Sequence, residues 1–337
     1  MNVQVEFYDG AEGYTAAQAP EVWTSGTIGA MAAGRQGGQA MQTPSNLTRT
    51  LGAYSDAFLG VAVFPQVSGV VNLRLMGAGS VQTFLQWNPA TGIIQAFRGD
   101  NVLISAVSGI YSAGSWHEVR LACTAATGAT GRIWVMVDGT VALSLSSVQT
   151  CPSAGSTTYD GIQLQSASPS LLDDVYARFG TSGTPEGADL GDLVLLEGVP
   201  GAQGNYHAFT PDGGAGGNPH YTRYNEAIDD DDLTYVESGT PGNRESWTPV
   251  AFSSTIGTIK VAVHRCFSRL VSSGTPRALR MFTRASGTDH DSSNVHNVPS
   301  VNFQAIDEVM LVNPATSAAW ANAAEVNATE FGFKLES

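Results

Sequence analysis

Arg132–Leu145 reads RIWVMVDGTVALSL. An alternating run of β-branched and aromatic residues enters Asp138-Gly139, and Val141–Leu145 returns from it. Asp-Gly between two such runs is a strong signal for a two-residue hairpin. Both turn positions need a left-handed backbone, which Asp tolerates and Gly adopts freely. The pattern extends outward. Trp116–Cys123 (WHEVRLAC) alternates just upstream. Phe58–Phe64 (FLGVAVF), Val71–Met76 (VNLRLM), Val81–Trp87 (VQTFLQW) and Ile93–Arg98 (IIQAFR) come before it, with turn residues at Asn88–Gly92 and Gly99–Asn101. Val3–Phe7, Ile162–Leu164 and Asp174–Phe179 complete the set. About ten strands at this spacing predict a two-sheet sandwich or jelly roll over residues 1–180.

Residues 181–192 (TSGTPEGADLGD) are Gly-rich, polar and acidic, the composition of a linker. Residues 193–337 predict a second β-sandwich. Leu193–Leu196, Leu233–Val236, Ile256–Phe267, Ala278–Thr283, Val309–Val312 and Phe331–Leu335 read as strands, and Gly198–Asn218 as a long loop. Ala318–Asn327 reads as the one helix, near the C-terminus. The expected fold is all-β with two β-sandwich domains.

Composition narrows the function classes. The chain has 337 residues, 38 glycines and a net charge of −14. Eleven acids and seven bases fall in residues 1–180, and nineteen acids and nine bases follow. Such a surface repels phosphate backbones, so no nucleic-acid partner is expected. The N-terminus MNVQVEFYDG lacks the basic and apolar regions of a signal peptide, and no apolar stretch is long enough to span a membrane. Synthesis in a cytoplasm, without membrane insertion, is the expectation. The three cysteines, Cys123, Cys151 and Cys266, have no metal-ligand spacing and predict reduced, structural thiols.

Candidate sites are few. A retaining glycosidase needs two carboxylates about 5 Å apart on one strand face. No such string occurs, and Asp173-Asp174 are adjacent, so no catalysis is expected. Two acidic groups are candidates for a bound cation such as calcium: Asp173 with Asp174 at a sandwich rim, and the run Asp229, Asp230, Asp231 and Asp232. The alternative for the first is a solvated strand entry with one acid hydrogen-bonded to a turn, and for the second a solvated turn before Leu233–Val236. Tyr206, His207, Tyr221 and Tyr224, in or beside the Gly-rich loop, are candidates for contact with a partner; the alternative is that they fold back over the second sandwich. Trp116 and Trp134, inside alternating strands, are expected in the core. No histidine accompanies a Ser or Cys in a nucleophile motif.

Larger fragments carry a family resemblance. FYDGAEGYTAAQAPEVWT (7–24), GRQGGQAM (34–41), GSWHEVRLAC (114–123), the hairpin quoted above and LLDDVYARFG (171–180) resemble, in this order, the concanavalin A-like (laminin G-like) jelly roll of tailed-bacteriophage virion proteins. DDDDLTYVESGTPGNRESW (229–247), IGTIKVAVHRCFSR (256–269) and NPATSAAWANAAEVNATEFGFKL (313–335) resemble the companion domain that follows it. The resemblance implies a non-catalytic virion component, a tail-tip, tail-fibre or minor tail protein. Its partners would be other virion proteins and copies of itself, a trimer in the case of a fibre, with contact to host-surface glycan. A capsid decoration or head-fibre protein is one alternative, and a carbohydrate-binding module another. The resemblance implies no cofactor and no catalytic residue.

Overall fold

In a computed structural model of the chain, Val137 pairs with Thr140 across the Asp138-Gly139 turn, whose φ angles are +49° and +75°. This is the left-handed pair that the dipeptide demands. The structure describes all residues except 1, 12–13, 36–37, 43, 67–68, 108, 167–169, 182, 192, 213–218, 226–232, 255, 272–276 and 299–300. The chain divides into two units, Met1–Leu196 and Glu197–Ser337.

The strands of the first unit are β1 (Asn2–Asp9), β2 (Ser25–Thr27), β3 (Ala30–Ala33), β4 (Gln39–Gln42), β5 (Ser45–Tyr54), β6 (Asp56–Phe64), β7 (Val71–Gly77), β8 (Ser80–Asn88), β9 (Ile93–Arg98), β10 (Leu103–Ala106), β11 (His117–Thr124), β12 (Gly131–Val137), β13 (Thr140–Val148), β14 (Tyr159–Ser166) and β15 (Leu171–Thr181). One sheet runs β13-β12-β11-β6-β15-β4-β3, with β1 also paired to β15; the other runs β10-β9-β8-β7-β14-β5-β2. Both are antiparallel, and together they form a jelly-roll sandwich. Alternation builds the core: Leu59, Val61, Leu121, Ile133 and Val135 point inward from the eight-stranded sheet, and Leu47, Leu73, Leu75, Ile162 and Leu164 from the seven-stranded one, all 3% exposed or less. Near the N-terminus the buried Asp9 carboxylate accepts from Tyr14 Oη at 2.6 Å and Trp23 Nε1 at 2.8 Å. It ties α1 (Ala19–Val22) to the end of β1.

The outer face of the eight-stranded sheet is closed by the chain itself. The Tyr176 ring lies across Gly60, where any Cβ would collide with it. Arg120 pairs with Glu118 and reaches Asp189 at 2.8 Å; Arg178 pairs with Glu6 and donates to the Ala188 carbonyl; Arg132 pairs with Glu186. Residues 181–192, read as a linker, therefore belong largely to the first unit: Pro185–Ala188 forms a 3-10 turn with Pro185 and Ala188 buried, and the division falls after Leu196. Trp134 is on this outer face too, half-buried beside Phe58 rather than in the core, because it faces Ala122 and Ser144 across the ladder.

The second unit has β16 (Pro200–His207), β17 (Thr210–Pro211), β18 (Val236–Glu237), β19 (Arg244–Pro249), β20 (Ala262–Ser268), β21 (Arg277–Ala285), β22 (Thr288–Asp291), β23 (His296–Val298), β24 (Gln304–Met310) and β25 (Glu330–Leu335). Its main sheet runs β16-β19-β25-β21-β22, with β23 on β21, and β20 pairs with β24 apart from it. Trp247, Met281, Phe331 and Phe333 from the main sheet share one core with Ile306 and Met310 of β24. Several expectations change here: Leu193–Leu196 is not a strand, and the strand expected over Ile256–Phe267 begins only at Ala262. Part of the expected 198–218 loop is β16, in which Gly204 leaves room for Ser246 and Glu330. The helix α2 spans only Ala323–Asn327, because the Asn322 side chain caps the Ala324 and Glu325 amides and Trp320 is held upstream by the Met310 carbonyl.

Candidate functional site

The pairing register of the seven-stranded sheet sets one residue from every strand in a single row. Ser25 faces Thr48, Thr48 faces Gln163, Gln163 faces Arg74, Arg74 faces Phe84, Phe84 faces Phe97 and Phe97 faces Leu103. Directly opposed residues share a face. Since Leu47, Leu73, Leu75, Ile162 and Leu164 fill the inner face, this row is on the outer one. A second row beside it consists of side-chain amides: Gln165 faces Asn72, Asn72 faces Gln86, and Gln86 faces Gln95. The two rows contain no carboxylate.

The polar side chains are bonded to one another. Arg74 donates to Asn46 Oδ1 at 3.2 Å, to Gln163 Oε1 at 2.6 Å, and to Gln165 Oε1. Gln163 Nε2 donates to Thr48 Oγ1, Asn72 Nδ2 to Gln165 Oε1 and Gln86 Nε2 to Asn72 Oδ1. Arg35, Arg98, Arg120, Arg132 and Arg178 each face a carboxylate within 4 Å. Arg74 makes no ion pair among the described residues, and partial burial pulls its guanidinium below the ordinary value. Phe84 and Phe97 stack next to it, centroids 5.1 Å apart and planes at 14°. On the other side Asn46, Thr48 and Gln163 line a cleft of about 710 Å3 together with Ser25, Thr27 and the β7–β8 turn at Gly79–Val81. At that turn Asp160 accepts from the Ala78 amide. The face thus offers neutral donors and acceptors, one cation and the half-buried Phe97 ring, with Phe84 buried beside it.

The residues singled out from sequence lie elsewhere. Asp173 is buried, and desolvation raises its pKa although it accepts from the Arg35 and Asp174 amides. Asp174, at φ +48° in a bulge of β15, accepts from the Leu195 amide and lies 3.6 Å from Arg35. These carboxylates hold the end of the first unit together. Asp229–Asp232 are outside the described residues. No three His, Cys, Asp or Glu side chains converge as a metal site among the described residues, and the three cysteines are unpaired.

Tyr206, His207, Tyr221 and Tyr224 are all in the second unit. Tyr206 donates to Asp289 at 2.6 Å, with the Arg244 and Arg284 guanidinium groups over its ring. Tyr224 packs on Trp247 and donates to Glu245, a fully buried carboxylate that also faces Gln203, the Phe209 amide and His220. Tyr221 packs partly buried on the same core. Of the four, His207 alone is exposed.

One constellation has no sequence signal. Ser115 Oγ lies 3.0 Å from His117 Nε2, and His117 Nδ1 lies 2.7 Å from Asp138 Oδ2, the order of a Ser-His-Asp triad. Nε2 also lies 2.9 Å from the Ser112 carbonyl, which only accepts. The same ring nitrogen is thus contacted by a backbone carbonyl as well as by Ser115 Oγ. The trio clamps the Ser112–His117 segment to the Asp138-Gly139 turn. The amide rows, by contrast, were open to sequence reading: polar amides and a lone Arg alternate with buried aliphatics in VNLRLM, FLQW and IQLQ.

No protein-family model matches the chain, and no curated protein matches it. Among solved structures it is similar to an endo-β-1,4-glucuronan lyase from the fungus Trichoderma reesei (TM-score 0.36, 13% identity, 51% of this chain and 94% of that one). It is similar to a tetrameric galectin from the ball sponge Cinachyrella sp. (TM-score 0.31, 14% identity, 39% and 98%). A carbohydrate-binding module from Bacillus subtilis gives a TM-score of 0.30 at 9% identity, over 53% and 96%. Likeness at this level carries no argument about ligand or activity.

Proposed function

We propose that the first unit is a non-catalytic saccharide-contact module, and that the outer face of its seven-stranded sheet is the contact surface. The observation that carries the reading is the pair of cross-strand rows: neutral amides and hydroxyls, held in place by one another, beside the stacked Phe84–Phe97 pair. Sugars present hydroxyls that both donate and accept, and apolar C–H faces that pack on aromatic rings. A fixed lattice of amides satisfies the first and the half-buried Phe97 ring, backed by Phe84, the second, with little side-chain entropy left to lose. The rows hold no carboxylate, His or Tyr to act as acid, base or nucleophile, which favours binding over bond cleavage. The fragment resemblance described above supports a tailed-phage particle as the setting, with host-surface glycan as the ligand.

A glycan array probed with the full chain tests the reading. Binding to at least one saccharide class is expected, weakened about tenfold or more by Gln163→Ala or Asn72→Ala, each breaking the hydrogen-bonded lattice that presents the amides. Binding unchanged in both variants, or no binding at all, overturns it.

A further inference from the structure

We propose that the saccharide bound at this face carries an anionic substituent, a carboxylate or a sulfate, and that Arg74 is the residue that receives it; the proposal rests on the saccharide reading above. A guanidinium has five donors. Arg74 gives one to each of Asn46, Gln163 and Gln165, so two, Nε–H and one on Nη2, have no partner among the described residues. The three acceptors are neutral amide oxygens. They fix the guanidinium plane without cancelling its charge, a cation oriented before any ligand arrives.

The contrast with the eight-stranded sheet sharpens this. There Arg120, Arg132 and Arg178 are neutralised by Glu118, Asp189, Glu186 and Glu6. Arg74 is a half-buried cation in the middle of a sheet, with no carboxylate in either row. Its depressed pKa, caused by burial alone, is the electrostatic trace of that isolation. An anionic ligand group supplies the missing counter-charge through charge-assisted bonds, roughly twice as strong as neutral ones. The adjoining cleft of about 710 Å3 is in the size range of small-ligand sites. The chain as a whole is acidic, at −14, so selectivity for an anion has to come from docked contact with Arg74 and not from long-range attraction.

The test uses the full chain and four probes: oligogalacturonate, its methyl ester, sulfated dextran and unsulfated dextran. Affinity for an acidic probe is expected to exceed that for its neutral counterpart by about tenfold or more. That margin is lost in Arg74→Gln and only partly kept in Arg74→Lys, which retains charge without the planar fork. Preference for oligogalacturonate assigns a carboxylate, and preference for sulfated dextran a sulfate. With the unaltered protein, added salt weakens the acidic probe and spares the neutral one, a readout independent of whether the variants fold. If acidic and neutral probes bind alike and insensitively to salt, while Gln163→Ala weakens both, the anionic proposal fails and the saccharide reading stands. If no probe or array glycan binds, both fail.

Discussion

His264 is 4% exposed, with the Trp247 and Phe331 ring centroids 5.1 and 5.7 Å from its own, and its Nε2 has no hydrogen-bond partner among the described residues. Burial lowers its pKa from 6.5 to about 4, against the opposing pull of Glu308 and Asp307; His296 adds to the lowering. The folded state therefore refuses a proton that the unfolded chain accepts. Its contribution is intact above pH 6.5 and is lost as the pH falls toward 4, by about 3 kcal/mol in all. Urea unfolding of the parent and of His264→Leu between pH 7.5 and 4.5 checks this. The parent should lose stability over that window relative to the variant, and parallel pH profiles would refute it. Glu245 is the second sensitive residue. Replacing it with Ala strands the Tyr224 hydroxyl, the Phe209 amide and the His220 ring, while Gln203 keeps the Tyr206 and Ser246 carbonyls, at an expected cost of about 3 kcal/mol in urea unfolding. Neither residue stood out in the sequence, because what isolates His264 or surrounds Glu245 comes from strands far apart in the chain. Arg74 was half legible: alternation in VNLRLM puts it opposite the buried leucines, but only the register reveals that no acid faces it.

Among the elements, strands with regular alternation were readable, and those built from small or polar residues were not. The Asp138-Gly139 hairpin and β7 to β9 lie where the pattern put them. β2 to β5, from Ser25 to Tyr54, lack the run of large apolar residues that marks a strand, and sheet neighbours organise them instead. The C-terminal helix came out five residues shorter than its alanines suggested, because Asn322 is a better cap than a helix interior residue. Two glycines carry a rule of their own. Tyr176 covers Gly60 and Phe282 covers Gly332, in separate sheets, and a Cβ at either would collide with the ring. Gly60→Ala should cost about 2 kcal/mol by displacing the Tyr176 ring from its stack on Phe58. A thermal midpoint equal to the parent's would show that the ring can move freely.

For the whole molecule, composition puts a linker at residues 181–192, and the contacts of that segment run to the first unit. TSGTPEGADLGD reads as a spacer, yet Glu186, Ala188 and Asp189 complete the outer face of the eight-stranded sheet. A fragment ending at residue 196 should unfold cooperatively. One ending at 181 leaves Arg120 and Arg178 short of partners, and should be less stable by about 2–4 kcal/mol in urea. Equal midpoints would return the segment to the role of a spacer. The two faces of that first sandwich also differ in how freely their lettering can drift over generations. On the eight-stranded side Arg120, Arg132 and Arg178 each have an acidic mate, so a change at one of them demands a matching change at another. On the seven-stranded side the outward positions alternate with leucines and isoleucines that never see the surface. An amide there can be exchanged for another polar residue without disturbing the interior. One surface is tied together by ion pairs that reach distant segments of the chain, its opposite by hydrogen bonds among neighbouring amides, so an exchange on the second disturbs its neighbours in the row and leaves the buried aliphatics beneath untouched.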